Sequence, residues 1–560
     1  MKNINEDIIK EIIKKRVNTP DDLSSVKRKM AKRYVLPCSS NIELLESYRK
    51  LVKNKKIKKS LKIEILLRVR PVRSLSGIVN VSVLTKPYPC PGKCIYCPDI
   101  KGIPKSYLDK EPAVMRAILN NYHPSKQVSM RLRSLRKTGH PIDKVELRVI
   151  GGTWSFYQKR YQTWFIKECF RACNEFERKL KNNNQSLKHQ QKINEKAISR
   201  IVGLSIETRP DFIDRKEIIR MRKMGITRVE LGVQTIYNDI LKMNKRGHDI
   251  EETKRATKLL KDAGFKICYQ MMPNLFGSDL KKDEKMFKEL FSNPDFQPDL
   301  LKIYPTAIIK GTLLYKYWKN GKYSPYSKKQ LISLVKKIKK IIPYYVRIQR
   351  ITRDIPSSKI VAGPAKISNL RQIIAQDMQK EGWKCKCIRC REAGRNYSKK
   401  ENNNKSFLKK ELKMFRQEYD ASGGKEIFLS FEDKEREVLY SLLRLRIPSN
   451  DKNMIPSLRN SALIREIHTY SQLVPIEKNK SSLISAQHKG LGKRLIKEAE
   501  KIIKKEFSIH SVKSIEGSTK KSQFNRVKKI AVISGVGVRK YYQKLGYSLQ
   551  DTYMVKNICN

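Results

Sequence analysis

The sequence predicts an α/β protein: a partial (β/α) barrel of parallel strands, then a second α/β domain, with a basic helical region in front. From about residue 76 to 365, β-rich runs such as "SGIVNVSVLT" alternate with helical patterns, which is the rhythm of parallel βα units. From about residue 411 the runs follow one another as in an antiparallel meander, before a glycine turn and a helix. The 560 residues suffice for roughly three or four domains of about 150 residues each.

The first 75 residues are helical and basic in pattern. Between Ser47 and Arg73 the only acidic residue is Glu64, whereas lysine and arginine recur throughout. This run is either a phosphate-binding surface or an ordinary solvated face. The opening stretch predicts an amphipathic helix, and its apolar face is formed by Ile8, Ile9, Ile12 and Ile13.

The charge is the outstanding bulk property of the chain. Lys+Arg number 121 against 54 Asp+Glu, a formal net charge of +67. Nucleic acid is the usual polyanion for so basic a protein, and such binding weakens steeply with salt. The alternative is a lysine-rich composition inherited from an AT-biased genome. No apolar run reaches the length of a membrane span, and the start is not a signal peptide, so we expect a cytoplasmic protein without a membrane partner.

Three cysteines lie within eight residues of the stretch "KPYPCPGKCIYCPD", directly after the first predicted strand. Clustered cysteines favour metal binding in a reducing compartment over a disulfide framework. Three close thiolates suit a 4Fe–4S cluster whose fourth iron stays open for the amine and carboxylate of S-adenosylmethionine, and the alternative is a zinc knuckle. Spacing and context resemble the radical S-adenosylmethionine superfamily. The three residues are Cys90, Cys94 and Cys97.

Polar or small residues follow three more of the predicted strands. In a barrel of parallel strands the active site is built at the carboxyl ends, so their recurrence predicts a site there, although each group could be an ordinary strand end. Gly151 and Gly152 leave room for backbone to approach the methionine moiety of S-adenosylmethionine. The groups are Gly151-Gly152-Thr153, Glu207/Arg209/Asp211 and Glu230/Gly232/Gln234.

Two further segments stand between the predicted domains or within them. Residues 177–200 are polar and predict a mobile insertion. A connector over residues 366–410 contains a second cysteine cluster, for which structural zinc with a distant fourth ligand and reduced, unliganded thiols are the alternatives. Its cysteines are Cys385, Cys387 and Cys390.

A glycine pattern near the end of the chain predicts a phosphate site. Gln487, Gly490 and Gly492 form Q-x2-G-x-G at a strand-to-helix turn, where backbone N–H groups and the helix dipole attract phosphate. With the strand "ALIREIHTY" before it and "RKYYQKLGY" after it, the pattern resembles a GNAT-type acetyltransferase that binds acetyl-coenzyme A. Tyr541 and Tyr542 either place a phenol near the thioester or pack beneath a helix.

The radical loop, the thiolate connector and the acetyltransferase tail together resemble one family, the catalytic (third) subunit of Elongator, from about residue 65 to the end. Matching stretches include "GIVNVSVLTKPYPCPGKCIYCP", "RVELGVQTIYNDIL", "LKIYPTAIIKGTLLYKYW" and "IAVISGVGVRKYYQKLGY". The tight second cysteine cluster is like the archaeal and bacterial branch. The domains that we expect are a tRNA-binding region (1–75), a radical S-adenosylmethionine domain (76–365), the zinc connector (366–410) and a GNAT-type domain (411–560).

The resemblance also implies roles for individual residues. Cys90, Cys94 and Cys97 would hold the 4Fe–4S cluster, and Lys144 of "HPIDK" would contact acetyl-coenzyme A from the radical domain. The strand carrying the cofactor's arm would comprise Glu466, Ile467, His468 and Thr469. The pyrophosphate loop would comprise Leu491, Gly492 and Lys493, and Tyr542 would contact the cofactor.

The function implied is that of a tRNA carboxymethyluridine synthase, which places a carboxymethyl group on C5 of the wobble uridine with a radical from S-adenosylmethionine and the acetyl group of acetyl-coenzyme A. Its partner would be the anticodon stem-loop of tRNA. It would act without other Elongator subunits, with an unidentified electron donor, and a homodimer is left open. The rivals are a protein lysine acetyltransferase, a non-catalytic RNA-binding scaffold and a different radical RNA modifier, such as a methylthiolation enzyme.

Overall fold

A computed structural model describes residues 4–177, 185–397, 411–448, 455–470, 490–508 and 527–558. Its helices are α1 (Ile4–Lys14), α2 (Pro20–Tyr34), α3 (Asn41–Lys53), α4 (Leu61–Leu66), α5 (Pro112–Leu119), α6 (Pro124–Lys137), α7 (Lys159–Glu175), α8 (Leu187–Asn194), α9 (Arg215–Lys223), α10 (Asn238–Met243), α11 (Ile250–Asp262), α12 (Leu280–Ser292), α13 (Leu313–Lys319), α14 (Lys328–Ile341), α15 (Leu370–Lys380), α16 (Ile388–Arg391), α17 (Ala393–Tyr397), α18 (Leu491–Ile502) and α19 (Arg539–Gln543). Its strands are β1 (Val79–Leu84), β2 (Lys144–Ile150), β3 (Arg200–Thr208), β4 (Arg228–Gln234), β5 (Lys266–Met271), β6 (Leu300–Ile303), β7 (Ile308–Ile309), β8 (Arg347–Arg350), β9 (Ile360–Ala362), β10 (Lys413–Ala421), β11 (Gly424–Glu432), β12 (Leu439–Ile447), β13 (Ser461–Thr469), β14 (Lys529–Val532), β15 (Ser548–Gln550) and β16 (Tyr553–Asn557). Within these ranges no helix combines the length and the apolar character that a bilayer crossing requires.

The N-terminal region is helical, as predicted, and has a small core of its own. Ile8, Ile9 and Ile12 of α1 are buried in that core, but Ile13 is 40% exposed. At about 100° per residue, Ile13 falls beside the stripe that the other three isoleucines form. The predicted apolar face is therefore narrower than expected, and Ile13 belongs to its solvent edge.

The first sheet confirms the predicted partial barrel. Its seven strands run parallel in the order β1-β2-β3-β4-β5-β6-β8. The six predicted strands are all present, and a seventh, β8, was missed because its alternation "RIQR" spans only four residues. The end strands β1 and β8 do not pair with each other, so the barrel is open along one side.

Aspartates fix the points at which three outer helices of this sheet begin. Asp214, Asp249 and Asp279 are the N-caps of α9, α11 and α12, and each side chain accepts a hydrogen bond from a backbone N–H three residues on. Such caps satisfy donors that the first helical turn leaves free. These caps therefore define where each outer helix begins after the preceding strand and loop.

The predicted polar insertion contains an ordered helix. Residues 187–194 form α8, which packs on α7, whereas residues 178–184 lie outside the described residues. Asn174 donates to Gln190 Oε1 (2.8 Å) and Asn194 donates to Asn174 Oδ1 (2.8 Å). All three amides are buried. The prediction of a mobile insertion was wrong for this helix because buried amides satisfy one another, and low hydropathy does not reveal such pairing.

The second sheet has the predicted meander followed by a helix and a strand. Its order is β10-β11-β12-β13-β14-β16-β15, and only β13 and β14 pair in parallel. The β13–β14 pairing covers Ser461–Ile464 alone, although β13 continues to Thr469. β14 ends at Val532, opposite Ile464, so its pairing with β13 does not extend along residues 465–469.

Buried ion pairs join the two sheets. Arg465 of β13 pairs with Asp299, which precedes β6, through contacts of 2.5 and 3.0 Å, and neither side chain is exposed. Arg446 of β12 reaches Asp262 at the end of α11 (2.6 Å). Although burial raises the pKa of Asp299, the charge of Arg465 holds it below its usual range. Such pairs fix one docking geometry because each charge depends on its partner.

We expect Arg465→Met to destabilise the protein by about 3–5 kcal/mol, because it leaves Asp299 buried without its main partner. The measurement is the midpoint of thermal unfolding. Lys337→Met, which removes a surface pair with Glu284 (2.7 Å), is the control and should cost less than about 1 kcal/mol. Equal midpoints for the two variants would contradict the role of the Arg465–Asp299 pair.

Candidate active site between the two sheets

The first cysteine loop lies over the carboxyl ends of the parallel strands. The backbone N–H of Ile95 donates to the carbonyl of Asn244 (3.3 Å), and the Ile95 carbonyl accepts from the N–H of Leu314 (2.9 Å). With the Ile95 side chain buried, these bonds hold the loop against the barrel. A cavity of about 200 Å³ at this end is lined by Cys90, Cys94 and Cys97.

Burial and neighbouring charges set the pKa values of Cys94 and Cys97. Arg246 Nη1 lies 3.4 Å from Cys94 Sγ, and its Nη2 donates to the carbonyl of Gly232 (2.6 Å). Burial raises the pKa of Cys94, but the positive charge of Arg246 outweighs it and leaves that pKa below its usual value. Burial and the neighbouring Cys94 raise the pKa of Cys97 to about 12. Cys97 therefore becomes a thiolate at neutral pH only when a cation binds beside it.

The two cysteine groups differ in spacing. Among the described residues, only Cys385, Cys387 and Cys390 form a group whose ligand atoms all lie within 4.8 Å of one another. That spacing fits one metal ion, and no fourth cysteine, histidine or carboxylate of the described chain joins it. The thiols of the first loop stand farther apart around a cavity, which suits a polynuclear cluster.

Gly151 and Gly152 stand beside the first cysteine loop, as the sequence predicts. Both have positive φ angles, 132° and 101°, which favour glycine. A Cβ on Gly151 would lie 2.0 Å from Thr85 Oγ1, and Gly152 lines the thiol cavity. A side chain at Gly151 would therefore separate β1 from β2, and one at Gly152 would meet whatever occupies the cavity.

The hollow of the barrel is charged. On β2 the apolar residues are buried toward the outer helices, whereas Lys144, Glu146 and Arg148 face the interior cavity. Glu230 of β4 forms ion pairs with Arg148 (3.3 Å) and with the buried Lys302 of β6. Of these interior charges, the sequence analysis had singled out only Lys144 and Glu230. The period-two alternation in "KVELRVI" is the signal that would have identified Glu146 and Arg148, whereas Lys302 lies in a strand that is buried throughout and shows no such alternation.

A second cavity, of about 1160 Å³, lies between the two sheets. It shares part of its lining with the thiol cavity, so the two spaces adjoin. The residues common to both are Ser82, Pro112, Ala113, Arg148, Arg350 and Asp354. The predicted residues that the larger cavity brings together are Lys144, Glu466, Ile467, His468, Thr469, Gly490, Gly492, Lys493, Tyr541 and Tyr542. Gln487 lies outside the described residues.

The part of β13 beyond its pairing with β14 presents polar groups to this cavity. Glu466 accepts from Lys266 Nζ (3.0 Å) and Arg444 Nε (2.9 Å). Burial raises the pKa of Glu466, but these cations hold it well below its usual range, so the group is a carboxylate at neutral pH. His468 Nε2 donates to the carbonyl of Ser76 (2.7 Å), which ties the strand to the start of the barrel.

Helix α18 begins at the same cavity. Gly490 is its N-cap, with φ of 71° and no side-chain cap, so the first backbone N–H groups of the helix point outward. Leu491 packs in the core, whereas the Lys493 side chain is exposed. A Cβ on Gly492 would lie 3.3 Å from Tyr541 Oη, so glycine keeps this end of the helix open. The arrangement resembles the helix N-termini at which anions bind in other proteins.

The two tyrosines occupy different environments. Tyr542 is 4% exposed and packs edge-on against Tyr547 at a centroid distance of 6.0 Å. Tyr541 is less buried, and its phenol approaches the start of α18. Burial raises the pKa of both phenols, so both are neutral at physiological pH.

Two family models match the first half of the chain. The model of the radical SAM superfamily matches residues 88–290, and the model of the radical SAM C-terminal domain matches residues 298–380. These matches cover the cysteine loop and the strands β2–β6 and β8 of the open barrel. They agree with the predicted type of barrel.

Several relatives match this chain over most of its length. The tRNA uridine(34) acetyltransferase of Methanocaldococcus jannaschii is 46% identical over 88% of this chain and 86% of its own length, and that of Dehalococcoides mccartyi is 43% identical over 87% and 99%. Human Elongator complex protein 3 is 35% identical over 98% of this chain and 96% of its own length. The solved structure of the archaeal Methanocaldococcus infernus Elp3 with N-terminus deletion (1–46) matches with a TM-score of 0.70 and 42% identity, over 86% of this chain and 100% of that one. The chain belongs to the family of the tRNA uridine(34) acetyltransferases and Elongator complex protein 3.

Proposed function

We propose that the chain is a tRNA carboxymethyluridine synthase, using S-adenosylmethionine and acetyl-coenzyme A. In the overall conversion a C–H bond of the acetyl methyl group and the C5–H bond of the wobble uracil are replaced by a carbon–carbon bond. S-adenosylmethionine is the oxidant and leaves as methionine and 5′-deoxyadenosine, while water hydrolyses the thioester and releases coenzyme A. The observation that carries the proposal is that the thiol cavity and the inter-sheet cavity share lining residues, Ser82 and Arg148 among them. Two cosubstrates held in adjoining spaces can act on one base between them. Relatives named tRNA uridine(34) acetyltransferase support the choice of substrate.

In this proposal the first loop holds a 4Fe–4S cluster through Cys90, Cys94 and Cys97. Three thiols around a cavity of about 200 Å³, with one thiol pKa lowered by Arg246, fit that donor set. When bound together, the cluster and S-adenosylmethionine supply a 5′-deoxyadenosyl radical. Gly152 leaves its side of the cavity open for the methionine moiety.

The second sheet would hold acetyl-coenzyme A. The N–H groups of Leu491, Gly492 and Lys493 at the start of α18 would bind the pyrophosphate. The edge of β13 beyond its pairing with β14, from Glu466 through Ile467 and His468 to Thr469, would pair with the pantetheine arm. Lys144 would reach the same molecule from the first sheet, since it lines the same cavity.

Hydrolysis of the thioester requires a positioned water, which a phenol could orient. Tyr541 is the better placed of the two tyrosines, because its phenol lies at the cavity beside Gly492, whereas Tyr542 packs mostly in the core. Tyr542 would shape the same wall of the cavity. Glu466, held ionised by Lys266 and Arg444, would orient polar groups of the bound arm.

The second cysteine group would hold one zinc ion. Cys385, Cys387 and Cys390 converge, and the ammonium of Lys339 lies 3.6 Å from Cys390 Sγ, where it offsets thiolate charge. Glu392 follows this group and accepts from Ser76 at the start of the barrel (2.5 Å). The ion would therefore stabilise a segment that contacts both edges of the open side.

We infer from the basic composition that the N-terminal region, residues 1–75, would contact the RNA, and a wobble base must leave its stack to reach a buried centre. Reduced thiols support a cytoplasmic protein, and the second cysteine cluster, which is like the archaeal and bacterial branch, supports an enzyme that acts without other Elongator subunits. A protein lysine acetyltransferase needs only the second sheet and leaves the thiol cavity unused. A methylthiolation enzyme needs no acetyl-coenzyme A site, and a scaffold needs neither cavity.

The deciding experiment is mass spectrometry of tRNA nucleosides after anaerobic incubation with reductant, S-adenosylmethionine and acetyl-coenzyme A. Carboxymethyluridine at the wobble position is the expected product, and its formation should require both cosubstrates. Acetylated lysine on a protein substrate without any modified uridine would favour the acetyltransferase alternative.

Replacement of Cys90, Cys94 and Cys97 by alanine should abolish iron binding and 5′-deoxyadenosine release. The wild-type protein should bind about four irons at this site after anaerobic reconstitution. Cys38→Ala, at an exposed cysteine, is the control and should keep both properties. Carboxymethyluridine made by the triple variant would refute the radical route.

Lys144→Ala should weaken acetyl-coenzyme A binding roughly ten-fold or more, because one charge-assisted hydrogen bond is worth about 1.5–3 kcal/mol. Iron content should not change, since Lys144 lies outside the thiol cavity. Calorimetry measures the affinity, and Lys281→Ala on the outer helix α12 is the control. Wild-type affinity in the Lys144 variant would make this residue an ordinary interior lysine.

Cys387→Ser should lower bound zinc from about one equivalent to well below it, because structural zinc sites depend on each thiolate. Elemental analysis gives zinc and iron separately, and the iron of the first loop should stay. Cys38→Ser is again the matched control. Undiminished zinc in the Cys387 variant, or its absence from the wild-type protein, would favour reduced, unliganded thiols.

A further inference from the structure

The open side of the barrel is a gap between the edge strands β1 and β8, called the window below. At the amino ends of the edge strands, Ser76 before β1 donates to Glu392, and Glu392 also pairs with Arg347 of β8 (2.8 Å). At the carboxyl ends, Arg353 after β8 donates to the side chain (2.9 Å) and carbonyl (2.6 Å) of Ser106. Contacts thus link the two edges at the amino ends and at the carboxyl ends of the strands, while β1 and β8 themselves remain unpaired with each other.

The β1 side of the window carries three arginines, Arg73, Arg116 and Arg131, all of which line the larger cavity. Arg116 Nη2 donates to the carbonyl of Ser82 (2.6 Å), and its buried Nε has no hydrogen-bond partner in the described chain. Burial and repulsion by Arg73 and Arg116 lower the pKa of Arg131 to about 10. These three side chains therefore crowd positive charge at one edge.

The β8 side carries two more arginines that line the same cavity, Arg371 and Arg389. Arg371 donates to the carbonyl of Ile348 (3.2 Å), and Arg389 donates to the carbonyl of Gln349 (3.2 Å). A single backbone acceptor leaves most of the five N–H donors of each guanidinium available.

The charges at the window differ from those inside the barrel. In the described part of the chain, no carboxylate lies within 4 Å of any of these five arginines, whereas the interior Arg148 and Lys302 both pair with Glu230. Guanidinium groups gathered without carboxylates repel one another, and an anion between them removes that cost. Their fork of donors matches phosphate as well as carboxylate, and nucleic acid supplies phosphate.

We propose that Arg73, Arg116 and Arg131 on one side, and Arg371 and Arg389 on the other, hold backbone phosphates on either side of the target nucleotide, which enters through the window between β1 and β8. This inference rests on the proposed function, because it takes RNA as the substrate. The window opens at Ser82, Arg148 and Arg350, the residues that both cavities share. A uracil that enters there arrives between the thiols and the acetyl site.

Acetyl-coenzyme A also carries phosphates, but its pyrophosphate already has a site at the start of α18. Two arginine groups on opposite edges fit a strand that continues past both of them, as RNA does on either side of an extruded base. A small cosubstrate bound within the cavity has no reason to span the window.

The test compares two double variants, Arg116→Gln/Arg131→Gln and Arg371→Gln/Arg389→Gln. The probe is a tRNA anticodon stem-loop, and the measurement is its binding constant over a series of salt concentrations. Each double variant should bind roughly ten-fold more weakly at low salt, and the slope of log affinity against log salt should fall by about 1.4–1.8, which is two phosphate contacts. Lys281→Gln/Lys285→Gln on the outer helix α12 removes the same charge and should leave both values unchanged.

Two further measurements separate this role from packing and from coenzyme binding. Arginine-to-lysine versions of both double variants keep the charge and should recover most of the RNA affinity; if they bind as weakly as the glutamine versions, packing explains the loss and the inference fails. Acetyl-coenzyme A affinity and iron content should match the wild-type protein in all variants, and a loss of coenzyme affinity alone would assign these arginines to the coenzyme. Wild-type RNA affinity and salt slope in both glutamine variants would also overturn the inference.

The proposed function can fail separately. If the wild-type protein binds the stem-loop but makes no carboxymethyluridine, the chemistry is wrong, and the salt slopes still decide whether these arginines contact phosphate. If it makes carboxymethyluridine and the variants bind normally, only the window is wrong.

Discussion

The structure depends on how the second sheet docks on the open barrel. A sheet whose inner face carries Lys144, Glu146 and Arg148 cannot bury that face against an apolar layer, because unpaired charges in a dry interior are too costly. The second sheet docks instead through the buried Arg465–Asp299 pair, which fixes its position without filling the hollow. A polar cavity therefore remains between the sheets, and every candidate site residue of the second sheet is placed by that docking.

The same constraint explains why the two cavities adjoin. Interior ion pairs such as Arg148–Glu230 keep the hollow polar and charged along the strands, from their amino ends near the second sheet to their carboxyl ends near the thiols. An apolar barrel core would have separated these two regions with packed side chains. Here the charged side chains on the inner face of the strands leave the two cavities joined.

The sequence predicted the fold class and the family correctly, because their signals are local. The cysteine loop and the glycine turn each lie within a few residues, and βα alternation repeats often enough to be recognised. Strand β8 was missed because it is short and charged, and α8 because Asn174, Gln190 and Asn194 hide their polarity in mutual hydrogen bonds. The group of arginines at the window could not be predicted, since residues such as Arg131 and Arg389 are far apart in the chain. Only the positions of both sheet edges show that they line the same opening.

Charge composition and charge placement answer different questions. A net charge of +67 indicates a polyanionic partner, but many of the cations that produce it are committed to carboxylates, as Lys337 is to Glu284 on the surface and Lys302 to Glu230 inside. A paired cation gains little from phosphate, because binding must first separate it from its partner. Cations without carboxylate partners therefore locate an anion better than the total charge does. In the described chain five such arginines line the cavity at the open side of the barrel, where we propose that the target nucleotide enters.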